Sequence, residues 1–507
     1  MNLLGLSLIG GAPAAPTGNT FAAVNPADGA RLAPDYHEAE AAEVARAAIL
    51  AAEAAPVFAR STAEQRAGLL RAMADGIEAL GDGLLERFVA ETGLPRGRAE
   101  GERARTCGQL RMFADVAAAD RWRDVREEPA LPDRQPAPRP ALSFRLRALG
   151  PVVVFGPANF PLAFSVAGGD TASALAVGCP VIVKAHSSHP GVSELVGRVV
   201  VDAVRATGLH PGVFSLLFGS GRTVGTALVR HPAVKAAGFT GSESAGRELF
   251  NLCASRPDPI PFFGELSSIN PVCILPGALA ANAEGIAAGL HGSLTLGCGQ
   301  FCTNPGLVFY VEGCPGSREF LGALLEKARG TPATPMLNTA TRESYEKEMR
   351  RVSGVAGVET LLAATTDRGP GGCHATPALF TCQAERFRGE EALHREVFGP
   401  ATLLVVCASV EEMRQTLAEL EGQLTATLHA TEQELNHPAT RALLETLEDR
   451  AGRVILNGYP TGVEVSPAMV HGGPWPATTD ARFTSVGTAA LLRWVRPVCR
   501  QGFPVNG

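Results

Sequence analysis

Cys302 sits in GCGQFCTNPG (297–306), an uncharged loop of small residues. A nucleophilic thiolate needs stabilising dipoles and space for an incoming carbonyl, and Gly297, Gly299 and Gly306 supply the space. The competing reading is a buried structural cysteine, the commoner fate of a free thiol. Glu265 lies in PFFGELSSIN beside Phe262 and Phe263. Aromatic neighbours strip water from a carboxylate and raise its pKa toward that of a useful general base. A helix-capping or ion-paired surface glutamate would show the same residues. Asn159, in GPANFPL, directly follows the apolar run PVVVFG. At the carboxyl end of a strand its amide can donate to an oxyanion, or it can stabilise its own turn before Pro161.

Three further segments suit a phosphate-bearing ligand. Phe239, Thr240, Gly241 and Ser242 follow an apolar run and precede the helix-like ESAGRELF, where backbone amides at a helix N-terminus could meet a pyrophosphate. The GxGxxG spacing is absent, so this is a weak dinucleotide signal. Gly219-Ser220-Gly221-Arg222 is a second glycine turn after a run of strand type, with an ordinary surface loop as its alternative. Lys184, closing PVIVKA, could reach a ribose hydroxyl or a phosphate, or point into solvent.

These residues need a scaffold, and the chain predicts one. Residues 36–60 are Ala-rich with charges on one stripe, a helical pattern that continues in style through 62–120. Five prolines in 127–141 then impose an extended linker or arm. Residues 143–150 alternate as a solvent-edged strand would. From 150 onward the runs PVVVFG, PVIVKA, VFSLLFG and VKAAGFTG each end in a turn, with helical stretches such as 191–206 between them. Strands alternating with helices indicate βαβ units, a parallel sheet and an α/β fold. A second apolar alternation from about Pro271 to residue 460 predicts a second α/β domain. Residues 482–498 could add a strand to a neighbour.

Composition excludes several classes. At roughly 150 residues per domain, 507 residues make about three domain-sized units. Hydrophobic residues at 46% and charged residues at 19% belong to a globular chain, not a disordered one. Lys+Arg 45 against Asp+Glu 51 gives −6, which argues against nucleic acid as a partner. Residues 148–169 are uncharged, but Pro151, Pro157, Pro161 and Asn159 would leave polar groups unsatisfied in lipid. They read as a buried strand and a functional loop, so no membrane is expected. The apolar start Leu3–Ile9 has no basic residue before Arg31 and lacks the positive region of a secretory signal. Eleven cysteines without a CxxC pair read as reduced thiols of a cytoplasmic protein, and no metal site is expected.

With Asn159, Lys184, Phe239–Ser242, Glu265, Cys302 and the segment Glu396-Val397-Phe398-Gly399-Pro400 in this order, the chain resembles the aldehyde dehydrogenase superfamily. The 37 positions from Glu265 to Cys302 match the superfamily's usual interval between base and nucleophile. The likeness runs from VNPADG (24–29) to TSVG (484–487). It implies a Rossmann-like cofactor domain (1–126 and 149–264), an α/β catalytic domain (265–481) and a small oligomerisation arm (127–148 and 482–507). The last part of the catalytic segment has a return to the cofactor domain as its alternative. By the same resemblance Cys302 is the nucleophile, and the Asn159 amide with the Cys302 backbone N–H forms the oxyanion hole. Glu265 is the deacylation base, Glu396 binds the nicotinamide-side ribose, Phe398 packs near the nicotinamide and Lys184 holds the adenosine ribose. A homodimer or homotetramer is implied.

Many NAD-using relatives place a glutamate three residues after the lysine, where this chain has Ser187. A carboxylate would repel a 2′-phosphate and a hydroxyl does not, while Arg222 stands where it could pair with that phosphate. NADP is therefore the expected cofactor, with NAD as a second. KAHSSHPGVSEL (184–195), NGYPTGVEV (457–465) and MVHGGPWPATTD (469–480) look most like 2-oxoglutarate semialdehyde (2,5-dioxopentanoate) dehydrogenases. That likeness implies oxidation to 2-oxoglutarate in sugar-acid, pentose or hydroxyproline catabolism. The alternatives are a fatty or broad-specificity aldehyde dehydrogenase, and a cysteine acyl-transferase or esterase without a dinucleotide. A similarity to NADP-linked fatty aldehyde dehydrogenases puts His471 near Cys302 as an aid to thiol deprotonation, with a packing histidine as the alternative. The usual Glu-Leu-Gly-Gly is here Glu265-Leu266-Ser267-Ser268, which bears on how freely Glu265 swings. A dicarboxylate-like substrate needs a cation for its carboxylate, and Arg111, in GQLRMFA, is one candidate.

Overall fold

The short apolar runs after residue 150 are apolar throughout because both of their faces are covered. In the computed structural model, which describes residues 2–366 and 372–504, strands Val152–Phe155, Val181–Lys184 and Phe214–Leu217 are buried at every position. They belong to a seven-stranded sheet. From one edge it runs Phe262–Glu265, Ala236–Thr240, Val152–Phe155, Val181–Lys184, Phe214–Leu217, and then the antiparallel hairpin Leu8–Ile9 and Ala12–Pro13. The five long strands are parallel, and their register pairs Thr240 with Glu265, Phe155 with Lys184 and Lys184 with Leu217. The carboxyl ends therefore finish along one edge, where open parallel sheets bind their ligands.

Helices cover this sheet. The helical pattern of 36–60 starts later than its composition suggests. Arg31–His37 pairs as a strand with Thr20–Val24, and the helix runs Ala41–Phe58. Tertiary pairing that buries Tyr36 overrides local propensity there. Helices Ala63–Ala79, Gly81–Thr92 and Arg96–Ala119 follow, the first opened by a reciprocal Thr62–Gln65 capping box. The last of them turns Glu102, Thr106 and Gln109 inward among apolar residues, so that face does more than pack.

Strand Phe262–Glu265 closes the first sheet, and five residues later Pro271–Ile274 enters a second one. Its order is Glu359–Leu362, Ala378–Gln383, Ala401–Cys407, Leu307–Val311, Pro271–Ile274, Gln423–His429 and Ala451–Leu456, all parallel except the first. The chain then returns to the first sheet. Leu266 N–H donates to the Ala477 carbonyl (2.8 Å) and Thr479 N–H to that of Gly264 (3.1 Å). Arg493 pairs with Asp170 at 2.7 Å, both largely buried. Beyond it Val495–Gln501 lies antiparallel to Leu142–Ala148, which also pairs with Arg126–Glu128. The proline-rich stretch between those two strands is mostly exposed and folds back through one isolated bridge, Leu131 to Arg139. Among the described residues no helix is long and apolar enough to cross a membrane.

Candidate active site

Glu265 ends its strand at the seam between the two sheets and the returning segment. It is 4% exposed. Its Oε1 lies 2.8 Å from His471 Nε2, and its Oε2 accepts from Ser485 Oγ at 2.8 Å. The flanking rings turn to other partners: Phe262 packs on Phe239 and Phe250, and Phe263 on Phe483 and Trp494. The expected rise in pKa is reversed. Burial does push this carboxyl up, but the His471 charge and hydrogen bonds from His471, Ser485 and Cys302 outweigh it and hold Glu265 below the ordinary value. It is a poised carboxylate, and neither a surface nor a helix-capping one.

Cys302 follows helix Pro276–Thr295 and a tight turn in which Gly297, Cys298 and Gly299 all have left-handed φ, near +60°. A Cβ on Gly299 would lie 2.4 Å from the Gly399 carbonyl carbon and the Pro400 nitrogen. Only glycine lets this turn press against Gly399 and Pro400, which end the segment carrying Glu396 and Phe398. Cys302 Sγ is 3.6 Å from His471 Nε2. Its carbonyl accepts from Asn270 Nδ2 (2.9 Å), and Asn270 is tied in turn to Gln423, whose Oε1 accepts the Ile269 and Asn270 N–H groups. Burial, the negative charge of Glu265 and a bond to it push the thiol well above its usual pKa, with Arg105 opposing. The thiol thus faces one proton acceptor, the Glu265 carboxylate, together with the His471 Nε2 that donates to that carboxylate.

His471 is 1% exposed, with its N–H on Thr484 Oγ1 (2.8 Å) and its carbonyl accepting from Ser485 N–H. Its Nε2 faces the sulfur and the carboxylate together, whereas Nδ1 is buried without a partner. The ring therefore contacts both the Cys302 sulfur and the Glu265 carboxylate. The ligand-capable atoms of Glu265, Cys302 and His471 lie within 4.8 Å of one another. Asn159 is 7% exposed and its Nδ2 donates to the Gln300 carbonyl (3.0 Å), two residues from Cys302, instead of to its own turn.

A cleft of about 1610 Å³ extends from Cys302 and Asn159 along the carboxyl edge of the first sheet. Glu396, Phe398, Lys184, Ser187, Arg222, Phe239, Thr240, Gly241 and Ser242 line it together with Cys302 and Asn159. Lys184 does not point into solvent. Burial lowers it to about 8, against the pull of Glu38. Helix Glu243–Ala254 opens at Ser242 with no side-chain cap on its first amides, which leaves them for an anion. Arg222 has no ion-pair partner among the described residues. An elongated cleft with free helix-end amides, an unpaired arginine and a buried lysine fits a dinucleotide.

Sequence reasoning missed several contributors. Ser267 Oγ donates to Glu396 Oε2 (2.8 Å), and Ser268 Oγ to Asn270 Oδ1 (2.9 Å). The two serines that depart from the glycine pair therefore hold Glu396 and the Asn270 that binds the Cys302 carbonyl. Hydroxyls in an otherwise apolar strand end were the available signal. Burial raises Glu396 to about 7, with Ser267 opposing and Glu243 adding to the rise. Arg111 is not part of the site: it is exposed and held by Glu78 (2.7 Å) and Asp75 (2.8 Å).

Known proteins share this fold. The chain is 50% identical to Alpha-ketoglutaric semialdehyde dehydrogenase 2 of Azospirillum brasilense over 508 residues, covering 99% of this chain and 95% of that protein. It is 43% identical to Alpha-ketoglutaric semialdehyde dehydrogenase of Acinetobacter baylyi over 498 residues, 98% and 93% of the two chains. Among solved structures, the aldehyde dehydrogenase KauB from Pseudomonas aeruginosa superposes with TM-score 0.84 at 20% identity, covering 99% of this chain and 97% of that one. Lactaldehyde dehydrogenase from Escherichia coli gives 0.84 at 23%, covering 98% of each. The sequence profile of the Aldehyde dehydrogenase family matches residues 14–475, a span that contains Asn159, Glu265, Cys302 and His471. The chain belongs to the aldehyde dehydrogenase family and is an NAD(P)-linked oxidoreductase acting on aldehydes.

Proposed function

We propose that this enzyme oxidises 2-oxoglutarate semialdehyde to 2-oxoglutarate with NADP as its preferred cofactor and NAD as a second, in the breakdown of sugar acids, pentoses or hydroxyproline. The observation that carries the chemistry is the chain from Cys302 Sγ to His471 Nε2 (3.6 Å) to Glu265 Oε1 (2.8 Å) at the end of a dinucleotide-sized cleft. The substrate follows the names of the two relatives at 50% and 43% identity.

Cys302 sulfur bonds to the aldehyde carbon as the thiol proton leaves to the Glu265 carboxylate, which the His471 Nε2–H holds in place. The carbonyl oxygen becomes an oxyanion, accepting from the Cys302 backbone N–H and from the Asn159 amide proton that Gln300 does not use. A nicotinamide held in the cleft lined by Glu396 and Phe398 would supply the hydride acceptor for oxidation of the thiohemiacetal to a thioester. Glu265 then takes a proton from water, whose oxygen attacks the thioester carbon; the acid leaves and the thiolate regains a proton. The exposed edge of the Val495–Gln501 strand supports a homodimer or homotetramer.

The deciding assay is initial NADPH formation with 2-oxoglutarate semialdehyde against a medium-chain fatty aldehyde. The semialdehyde is expected to win by at least about tenfold in kcat/KM, roughly the value of one charged hydrogen bond. A win for the fatty aldehyde would move the reading to an apolar pocket built on Phe160, Phe164 and Phe301, whose rings pack edge to face.

Two measurements address the cofactor. Arg222→Ala is expected to raise the KM for NADP about tenfold or more, through loss of a charge-assisted bond to the 2′-phosphate. The KM for NAD should stay within about twofold by the same argument, since NAD lacks that phosphate. Equal losses for both would remove Arg222 from 2′-phosphate recognition. Glu396, raised to about 7, is neutral below that pH and a carboxylate above it. Only the carboxylate accepts from both ribose hydroxyls. NADP should therefore bind more tightly as pH rises from 6 to 7.5, and Glu396→Gln should flatten that slope in a fluorescence titration.

A further inference from the structure

Three arginines surround the nucleophile, and two are already committed. Arg98 pairs with Glu102 (3.2 Å), donates to the Asn159 carbonyl (3.2 Å) and stacks 4.5 and 4.6 Å from the centres of Phe160 and Phe301. Arg453 donates to the carbonyls of Gly462 (2.9 Å) and Pro460 (2.6 Å). Arg105 alone makes no hydrogen bond or ion pair among the described residues, and its Nε and Nη2 are buried without partners.

Its surroundings explain where the unused fork is directed. Arg98, Glu102 and Arg105 stand at i, i+4 and i+7 on helix Arg96–Ala119 and so share one face. Glu102 is saturated by Arg98 and by the Leu162 and Ala163 N–H groups (2.9 and 3.0 Å). The Arg105 guanidinium lies 5.0 Å from the Phe164 ring centre, and Phe164 is 6.1 Å from the His471 ring. Burial lowers its pKa, while the charges of Glu102, Cys302 and Glu265 pull the other way, so the guanidinium acts on the reacting groups themselves. It is not among the residues lining the dinucleotide cleft. Buried guanidinium donors without partners are costly, and none of the described residues meets Arg105 Nε or Nη2.

We propose that Arg105 is a carboxylate-binding subsite: its fork grips the carboxylate at the far end of an aldehyde acid whose carbonyl carbon lies at Cys302. This rests on the substrate reading above and names the group that enforces it. In an extended five-carbon substrate the aldehyde carbon and the carboxylate carbon are separated by about 5 Å, and Phe164 is the side chain that the Arg105 guanidinium (5.0 Å) and the His471 ring (6.1 Å) share as a neighbour. The planar fork suits a two-point carboxylate bond, which an ammonium reproduces only in part. A neutral aldehyde leaves the fork unpaired and is discriminated against for that reason.

The test measures kcat/KM for 2-oxoglutarate semialdehyde and for pentanal, a neutral aldehyde of equal length, in the wild type, Arg105→Met and Arg105→Lys. A second readout is protection of Cys302 from iodoacetamide by 2-oxoglutarate. For Arg105→Met the ratio of the two kcat/KM values is expected to fall at least about 100-fold, chiefly through the semialdehyde KM, as for removal of one partner of a buried charge pair. Protection should disappear with it, and Arg105→Lys should fall between. NADP fluorescence titration checks that each variant is folded, and Arg105→Lys carries the test if Arg105→Met is not. An unchanged ratio and intact protection in a variant of a wild type that prefers the semialdehyde overturn the Arg105 assignment alone. A wild type without that preference overturns the substrate reading, and the subsite with it.

Discussion

Cys302→Ala is expected to lower kcat by about 10⁴-fold or more, the scale seen when the nucleophile of a coupled catalytic group is removed. No other cysteine can substitute. Cys298, the nearest in sequence, is 3% exposed and points its sulfur at the Thr334 and Ala375 carbonyls. The alanine variant should bind NADP within about twofold of the wild type, because Cys302 is one neutral residue among the many that line the cleft, which also hold Lys184, Arg222 and the amides opening helix Glu243–Ala254. Stopped-flow NADPH formation and a fluorescence titration check the two halves separately. An oxidation rate within tenfold of wild type would remove Cys302 from the chemistry.

The second large effect separates the two halves of the reaction. Glu265→Gln removes the carboxylate expected to activate water, and deacylation should slow by about 10²–10⁴-fold. Acylation should survive. The negative charge of Glu265 is one of the influences that hold the Cys302 thiol above its usual pKa, second only to burial, so its loss brings the thiol closer to ionising. The expected trace is a burst of about one NADPH per active site followed by a slow steady rate, the signature of a trapped acyl-enzyme. Loss of the burst along with the steady rate would instead make Glu265 the group that deprotonates the thiol. Because His471 Nε2 lies between the two, 2.8 Å from the carboxylate and 3.6 Å from the sulfur, His471→Asn in the same assay reports which proton transfer uses the ring.

The legible parts of the site share one property: each is local in the chain. Asn159, Lys184 and Phe239–Ser242 follow strand-forming runs, and strand ends in a parallel sheet converge on one edge. The register that pairs Thr240 with Glu265 and Phe155 with Lys184 carries this out. Cys302 lies in a loop whose glycines announce tight backbone approach, and the structure uses Gly299 in that way against Gly399 and Pro400. Apolar runs of four or five residues separated by turns and helices were sufficient to read an α/β protein with parallel sheets.

What failed from sequence was electrostatic and long-range. The rings beside Glu265 predicted a raised pKa, but its side-chain partners are His471 and Ser485, 206 and 220 residues away, and they reverse the shift. The two carboxyls diverge in the same way. Glu396 keeps only Ser267 against its burial and rises to about 7. Neither direction can be read from flanking residues, because a buried charge answers to whatever the fold sets against it.

The two arginines make the same point on a single helix. Arg105 and Arg111 are six residues apart, which places them about 240° apart around the helix axis. Sequence placed both in the same charged helical stretch and determined that stretch's periodicity. Which face met the nucleophile was decided only when the helix docked: Arg111 fell on the side of Asp75 and Glu78, and Arg105 on the side of Phe164, Cys302 and Glu265. Secondary structure and backbone turns are set by neighbours along the chain, so the sequence alone determined the layers, the strand ends and the nucleophile loop. Charge states and side-chain partners depend on distances through space, and those exist only once the two sheets and the returning segment have closed on one another.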